Sequence, residues 1–292
     1  MRSKPDVTSL NPVLPSGLYL VATPIGNLLD LSLRAIEILR NVDVIACEDT
    51  RVTGKLLAKH KIKTNMKPYH EHNASRMRPA LLSTIQKGGS VALVSDAGTP
   101  TISDPGYKLV KECVDCAYGI TALPGANAAI AGLILSGLPT NRFLFAGFLN
   151  SKTKQRCKEL QELANVPTTL IFYESAKRLN ATLKDMVKQL GNRPASIARE
   201  LTKRHEEVRR DTLIELSKHY RNAGAPKGEI VIIIAPPPMR PQPSDGRLDT
   251  LLLEELQTLS RRDAIIKIAH ETGLPKRQVY TRAIKLSKTN LR

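Results

Sequence analysis

Short, unbroken apolar runs alternate with amphipathic stretches through the first half of the chain. Leu18–Ala22, Val42–Cys47, Val91–Val94 and Gly119–Leu123 have strand length and no polar alternation, the pattern of parallel strands buried on both faces. Between them, apolar residues recur at helical spacing over about Leu31–Arg40 (with Asp30 as N-cap), Arg51–His60, Ser75–Gln86, Tyr107–Cys116 and Asn127–Ser136. Strand–helix alternation of this kind predicts a mainly parallel sheet with helices on both faces. After Gly137-Leu-Pro-Thr140 a second α/β unit begins. Its expected strands are Phe143–Leu149, Thr168–Tyr173, Ala195–Arg199 and Gly228–Ala235. Its helices are Lys152–Ala164 and Ala176–Leu190, and Thr212–Arg221 reads as strand passing into helix. Pro236-Pro-Pro-Met-Arg-Pro241 has the composition of a semi-rigid linker. Three short helices follow, over Leu251–Leu259, Arg262–His270 and Lys276–Ser287, with Gly273 between the last two. The expected organisation is a disordered lead (1–16), two α/β domains (17–140 and 141–237) and a helical tail (238–292).

The most informative stretch is Ser95–Gly106, a loop of Gly, Pro, Ser, Thr and Asp that follows the Val91–Val94 strand directly. Ligands of open α/β sheets bind at the carboxyl ends of strands, and loops this long without elements of their own are usually functional. Gly98 lets backbone approach a ligand, while Pro100 and Pro105 stiffen the loop. Thr23-Pro-Ile-Gly-Asn27 and Pro124-Gly-Ala-Asn-Ala128 are two more small-residue loops after strands of the same sheet. One such loop would be a turn; three predict a shared pocket. Neither the dinucleotide-binding G-x-G-x-x-G spacing nor a Walker A pattern occurs.

Charge adds a partner class. Lys and Arg number 44 against 27 Asp and Glu, a formal net charge of +17. So large an excess implies a polyanion, with RNA, DNA, an anionic membrane or a multicarboxylate ligand as candidates. No run approaches a membrane span. The proline-broken N-terminus lacks the apolar core of a signal peptide, which predicts a cytoplasmic protein. Trp is absent and aromatics are 4% of residues, against an extended base-stacking platform. Cys113-Val-Asp-Cys116 has half-zinc-site spacing with no partner pair, so no metal is expected and the thiols read as structural.

Polar motifs cluster at strand ends. Glu48-Asp49-Thr50-Arg51 either caps the next helix or sets Arg51 against an anionic group while an acid orients a hydroxyl. His70 and His72, in Tyr69-His-Glu-His-Asn73, form a polar lip. In the second half lie Phe172-Tyr-Glu-Ser175, Arg199-Glu-Leu-Thr-Lys203 and Lys227-Gly-Glu229. A solvated charged surface is the competing account of Arg204–Arg210. The helix–glycine turn–basic helix of the tail is similar to a helix-turn-helix, with a helical cap on the core or on a second subunit as the alternative.

Leu20-Val-Ala-Thr-Pro-Ile-Gly-Asn-Leu28, Glu48–Arg51, Tyr69–Asn73, Ser95–Gly106, Gly147-Phe148, Phe172–Ser175, Arg199–Lys203 and Gly228-Glu229 together resemble the bacterial small-subunit rRNA (cytidine-2′-O)-methyltransferases of the tetrapyrrole-methylase superfamily. The resemblance spans about Gly17–Ala235, and the tail fits it too. It implies two α/β domains of the tetrapyrrole-methylase type with S-adenosylmethionine folded into the cleft between them, and a homodimer. By position, the cofactor would touch Pro24, Ile25 and Gly26; Thr99, Thr101 and Ile102; Gly125, Ala126, Asn127 and Ala128; and Tyr173, Leu201 and Gly228. The implied substrate is a decoding-centre cytidine of 16S rRNA within the small ribosomal subunit. Arg51, His70, His72 and Asp104 would contact it, with Lys276 and Arg277 extending the footprint. Methyl transfer to a ribose hydroxyl needs alignment and a general base. Candidates are Asp49 (favoured), Glu48, Asp104 and Glu174, with Lys203 placed to stabilise developing alkoxide. A tetrapyrrole C-methyltransferase is the second expectation, and a non-enzymatic nucleic-acid-binding regulator a third.

Overall fold

The computed structural model describes residues 14–238 and 244–289. Most of the expected disordered lead, and part of the proline-rich linker, lie outside those residues. The chain divides into two compact units that meet at Pro237 and Pro238.

The first unit holds two five-stranded sheets. In the first, β1 (Gly17–Val21), β2 (Val44–Cys47), β3 (Met66–Pro68), β4 (Ser90–Val94) and β5 (Ile120–Leu123) lie in the order β3-β2-β4-β1-β5. Every pairing is parallel. One face packs on α1 (Leu33–Asn41) and α2 (Thr50–Lys59), through Ile38, Leu39, Leu56 and Leu57. The other packs on α3 (Ala74–Gln86) and α4 (Tyr107–Asp115), through Leu81, Ile85, Leu109 and Cys113. Burial on both faces explains the unbroken apolar runs of β2 and β4. Two local expectations change. Ser32, not Asp30, caps α1, accepting the Ala35 N–H at 3.1 Å, and Asp30 sits in a single 3-10 turn. The edge strand β3 carries no apolar run because it is three residues long and ends in Pro68.

The second sheet is mixed. β6 (Phe143–Phe148), β7 (Thr169–Ser175), β8 (Pro194–Arg199), β9 (Glu207–Thr212) and β10 (Glu229–Ile234) lie in the order β6-β7-β10-β8-β9. Only β6 and β7 run parallel. Strand β9 occupies much of the charged stretch for which a solvated surface is the competing account. It is a sheet edge, where charged side chains oppose further strand addition, and Arg199 and Arg209 both bridge to Glu207. One face of the sheet is covered by α6 (Thr153–Leu163), α7 (Leu179–Leu190) and α8 (Leu213–Ala223). A buried Arg156–Asp185 pair at 2.6 Å ties α6 to α7.

The other face is covered by α5 (Ala128–Ser136), the helix that leaves the first sheet. Ala129 and Leu133 pack with Ile171, Ala198, Val231 and Ile233. A Cβ on Gly132 would lie 3.1–3.3 Å from Val231 and Ile233, so the small residue lets the helix settle onto the sheet. The helix that closes the first half is thus the roof of the second, and the two halves share a core.

The second unit is three helices, α9 (Asp245–Leu256), α10 (Arg261–Thr272) and α11 (Lys276–Thr289), around Leu248, Leu252, Ile268, Leu274 and Val279. Gly273 ends α10 in the left-handed region, φ +73°, the conformation glycine adopts without penalty. Arg282 joins α11 to α9 through Asp249 and Asp245. Among the described residues no helix is long and apolar enough to cross a membrane.

Candidate active site

Because β4, β1 and β5 are neighbours with one direction, the loops after them emerge side by side, and hydrogen bonds lace them together. Thr23 and Gly98 exchange backbone bonds of 2.9 Å in both directions, and the Thr23 hydroxyl donates to the Ser95 carbonyl at 3.0 Å. The Thr99 hydroxyl donates to the Ala126 carbonyl at 3.1 Å, and the Asn127 amide donates to Thr99 Oγ1 at 3.3 Å. Two further bonds reach the second half. The Ala129 N–H donates to the Tyr173 hydroxyl at 3.2 Å, and the Asn27 N–H to Thr202 Oγ1 at 3.0 Å.

These loops enclose a cavity of about 450 Å³, within the ~300–1,000 Å³ of small-molecule sites. Of the expected cofactor contacts, Ile25, Thr99, Ile102, Asn127, Ala128, Tyr173, Leu201 and Gly228 line it. Pro24, Gly26, Thr101, Gly125 and Ala126 are not among the lining residues. Gly26 instead abuts the Leu201–Lys203 loop, and Gly125 abuts Ala22 so closely that a Cβ would lie 2.7 Å from the Ala22 Cβ. Ala126 offers its carbonyl to Thr99. Thr101 and Ser103 in the central loop, and Glu200 and Thr202 in the second half, have positive φ. Such conformations cost on the order of 1–3 kcal/mol each and gather at functional sites. Asp96, Phe148, Glu229 and Val231 also line the cavity. Asp96 lies inside the informative loop, but nothing in its spacing marks it. Phe148 reaches the site through the irregular pairing of β6 near Gly147 (φ +63°) and packs its ring 5.5 Å from that of Tyr173.

Among the described residues the lining contains five carboxylates, Glu48, Asp96, Asp104, Glu174 and Glu229, and no Lys, Arg or His, in a protein of net charge +17. Burial pushes the Asp104 carboxyl up to about 6, aided by the nearby charge of Glu48 and opposed by a hydrogen bond with Ser95. Burial likewise raises Glu48 and Asp96 above their ordinary values, and Asp96 adds to the shift of Glu48. Glu174 is different: it accepts from the Ser175 N–H at 2.7 Å and the Thr182 hydroxyl at 2.5 Å, with Arg178 at 3.4 Å. Its carboxylate is taken up in anchoring α7.

Glu48 and Asp96 also border a second, more open cleft lined by Asp49, Arg51, His70 and His72, so the expected substrate lip adjoins the cavity. Asp49 caps α2 through the Arg51 N–H at 2.8 Å and holds the Arg51 guanidinium at 2.6 Å. Those hydrogen bonds depress its carboxyl to about 2. Both accounts of the Glu48–Arg51 motif thus meet in one side chain, and an acid so depressed is a weak base. Lys203 lies between Glu200 (2.9 Å) and Glu229 (3.2 Å); burial lowers its ammonium, but these partners outweigh it and hold it above its ordinary value. Lys276 and Arg277 belong to the second unit, where they line a groove with Arg261, Arg262 and Tyr280.

Known proteins are similar to this chain in sequence and in fold. The family model of the Tetrapyrrole (Corrin/Porphyrin) Methylases matches residues 17–217. A protein of Mesorhizobium japonicum named ribosomal RNA small subunit methyltransferase I is 48% identical, covering 95% of this chain and 94% of its own. Its namesake in Erythrobacter litoralis is 50% identical, covering 95% and 98%. Among solved structures, the uroporphyrin-III C-methyltransferase of Thermus thermophilus complexed with S-adenyl homocysteine shares the fold. Its TM-score is 0.53 at 20% identity, over 74% of this chain and 96% of that one. The chain belongs to the tetrapyrrole methylase family, and within it to the ribosomal RNA small subunit methyltransferase I group.

Proposed function

We propose that this protein methylates the ribose 2′-hydroxyl of a decoding-centre cytidine in 16S rRNA, using S-adenosylmethionine. The observation that carries the reading is the acid-lined, cation-free cavity inside a strongly basic chain. A cavity of that lining suits a ligand with a sulfonium and an ammonium group, while the net charge of the whole chain suits a polyanion. Ile25, Leu201 and Val231 offer apolar contact, Tyr173 and Phe148 offer aromatic faces, and Thr99 and Asn127 offer polar atoms. When bound, S-adenosylmethionine supplies an electrophilic methyl group.

The chain's own part is to hold the ribose in line, exclude water and accept a proton. Alignment alone is worth roughly 7–11 kcal/mol in well-oriented reactions. Asp104 is the best-matched base, because it lines the cavity and ionises at about 6, near the working pH, where general bases are most effective. The Asp104 carboxylate would take up the proton that the ribose hydroxyl loses, while the methyl group passes from sulfur to that oxygen, the methyl–sulfur bond breaks and the neutral thioether S-adenosylhomocysteine leaves. Glu48 and Asp96, whose charges raise Asp104, keep that proton affinity high.

Small subunits purified from cells lacking the protein are the decisive substrate. With labelled S-adenosylmethionine, label is expected on the ribose of a single 16S cytidine; label on a base, or none, overturns the reading. We assign the tail an RNA-contacting role of its own. Arg261, Arg262, Lys276 and Arg277 line one groove of the second unit beside an exposed Tyr280, a set suited to phosphates and a stacked base. Lys276→Glu with Arg277→Glu is expected to raise the KM for subunits about tenfold with kcat unchanged. An unchanged KM would assign the tail a structural role alone.

A further inference from the structure

Between Thr50 and His70 the chain has six cations, Arg51, Lys55, Lys59, Lys61, Lys63 and Lys67, and no acid. Helix α2 displays three of them at i, i+4 and i+8, and Arg51, Lys55 and Lys59 are all exposed. Lys61 and Lys63 are exposed on the segment that follows. That spacing places a cation about every 6 Å along the helix, comparable to the step between consecutive phosphates of an RNA strand. Of these six, among the described residues, only Arg51 has a carboxylate partner, Asp49. The row begins at the mouth of the site. Arg51 lines the open cleft, and that cleft shares Glu48 and Asp96 with the cavity.

We infer that the exposed α2 row and the lysines after it form a phosphate track that leads the substrate RNA strand to the cavity, with Arg51 at its inner end. The inference rests on the function proposed above and adds to it which face of the first unit the RNA follows. The juxtaposition has a plain electrostatic sense. An acid-lined cavity repels an approaching phosphodiester, so a polyanionic substrate needs cations beside the opening to hold the flanking phosphates while one ribose enters. Asp49 pre-positions the inner guanidinium and the Lys side chains supply unneutralised charge outward from it. A row of lysines contacts backbone and not bases, which fits a target chosen by the shape of an assembled particle.

The test compares two charge reversals of equal size in the full-length protein. Lys55→Glu with Lys59→Glu alters the track. Lys184→Glu with Lys188→Glu alters another i, i+4 pair, on α7, away from the cleft-lining residues. Methyl transfer to small subunits is measured across a salt series, with S-adenosylmethionine binding by calorimetry alongside. The track variant is expected to raise the KM for subunits about tenfold or more. Each single-strand phosphate contact contributes about 0.7 to the log–log salt slope, so losing two lowers it by about 1.4. Cofactor affinity should stay within twofold for both variants, and the α7 variant should behave as wild type. Equal losses in both variants would mean that bulk charge alone matters, and no loss in the track variant would mean that RNA follows another face; either overturns the track. A wild type that binds cofactor but transfers no methyl to subunits overturns the proposed function itself, and the track with it.

Discussion

Asp104→Asn is expected to lower kcat for methyl transfer by roughly 10²- to 10⁴-fold, the usual contribution of a positioned general base, a loss that saturating S-adenosylmethionine does not restore. In the wild type, kcat should fall as pH drops through about 6, because protonation removes the base; the variant's residual rate should lose that inflection. Stability should move the other way. The Asp104 carboxyl ionises at about 6 in the folded protein against an ordinary value of 3.8, so the folded state holds this proton more tightly than the unfolded chain. Its ionisation therefore destabilises the fold above about pH 6, and that destabilisation disappears as pH falls towards about 4. Asn carries no charge, so the variant should melt higher than wild type at about pH 8, with the gain shrinking by about pH 4. A variant that is inactive and less stable at alkaline pH would make Asp104 a structural residue. Full activity would move the base to Glu48 or Asp96.

Gly26→Val is expected to weaken S-adenosylmethionine binding by about 5- to 150-fold, although Gly26 does not line the cavity. A Cβ at this position would lie 2.4 Å from Lys203 Cγ, 2.8 Å from Thr202 Oγ1 and 2.9 Å from the Leu201 carbonyl oxygen. The opposing loop has little room to yield. Glu200 and Thr202 already hold positive φ, and Lys203 is tied to Glu200 and Glu229. The added side chain would push this loop away from the first, moving Ile25 and Leu201 apart across the cavity. Overpacking of this kind typically costs about 1–3 kcal/mol, and tenfold in affinity is about 1.4 kcal/mol. Calorimetric titration with S-adenosylmethionine reads the effect directly; an affinity within twofold of wild type would show that the two loops move independently.

Both predictions depend on contacts that no spacing in the chain announces. The three strand-end loops that meet at the cavity are legible because each follows an apolar strand and is rich in Gly, Pro and small polar residues, a composition that local physics reads directly. Their division of labour is not. Gly26 and Gly125 look like ligand contacts, and their lack of a side chain also serves close packing, of Gly26 on the Leu201–Lys203 loop and of Gly125 on Ala22. Asp49 and Glu174 look like candidate bases, yet one is a helix cap clasping Arg51 and the other is held by Ser175, Thr182 and Arg178. A carboxylate's availability depends on which donors surround it, and Thr182 is eight positions from Glu174.

The chain by itself determined the βα order of the first half, the parallel sheet, the three converging loops, the basic balance and the helices of the tail. These rest on local signals: continuous apolar runs, helical periodicity, glycine and proline punctuation, and summed charge. Only the tertiary structure decided the rest. It put α5 on the second sheet, made a strand of the charged segment Glu207–Thr212, and gathered five carboxylates from both halves around one cavity. It also raised Asp104 while depressing Asp49. Those outcomes depend on burial and on partners distant in sequence, and desolvation and pairing act on a side chain through its surroundings in space, which the one-dimensional pattern does not carry.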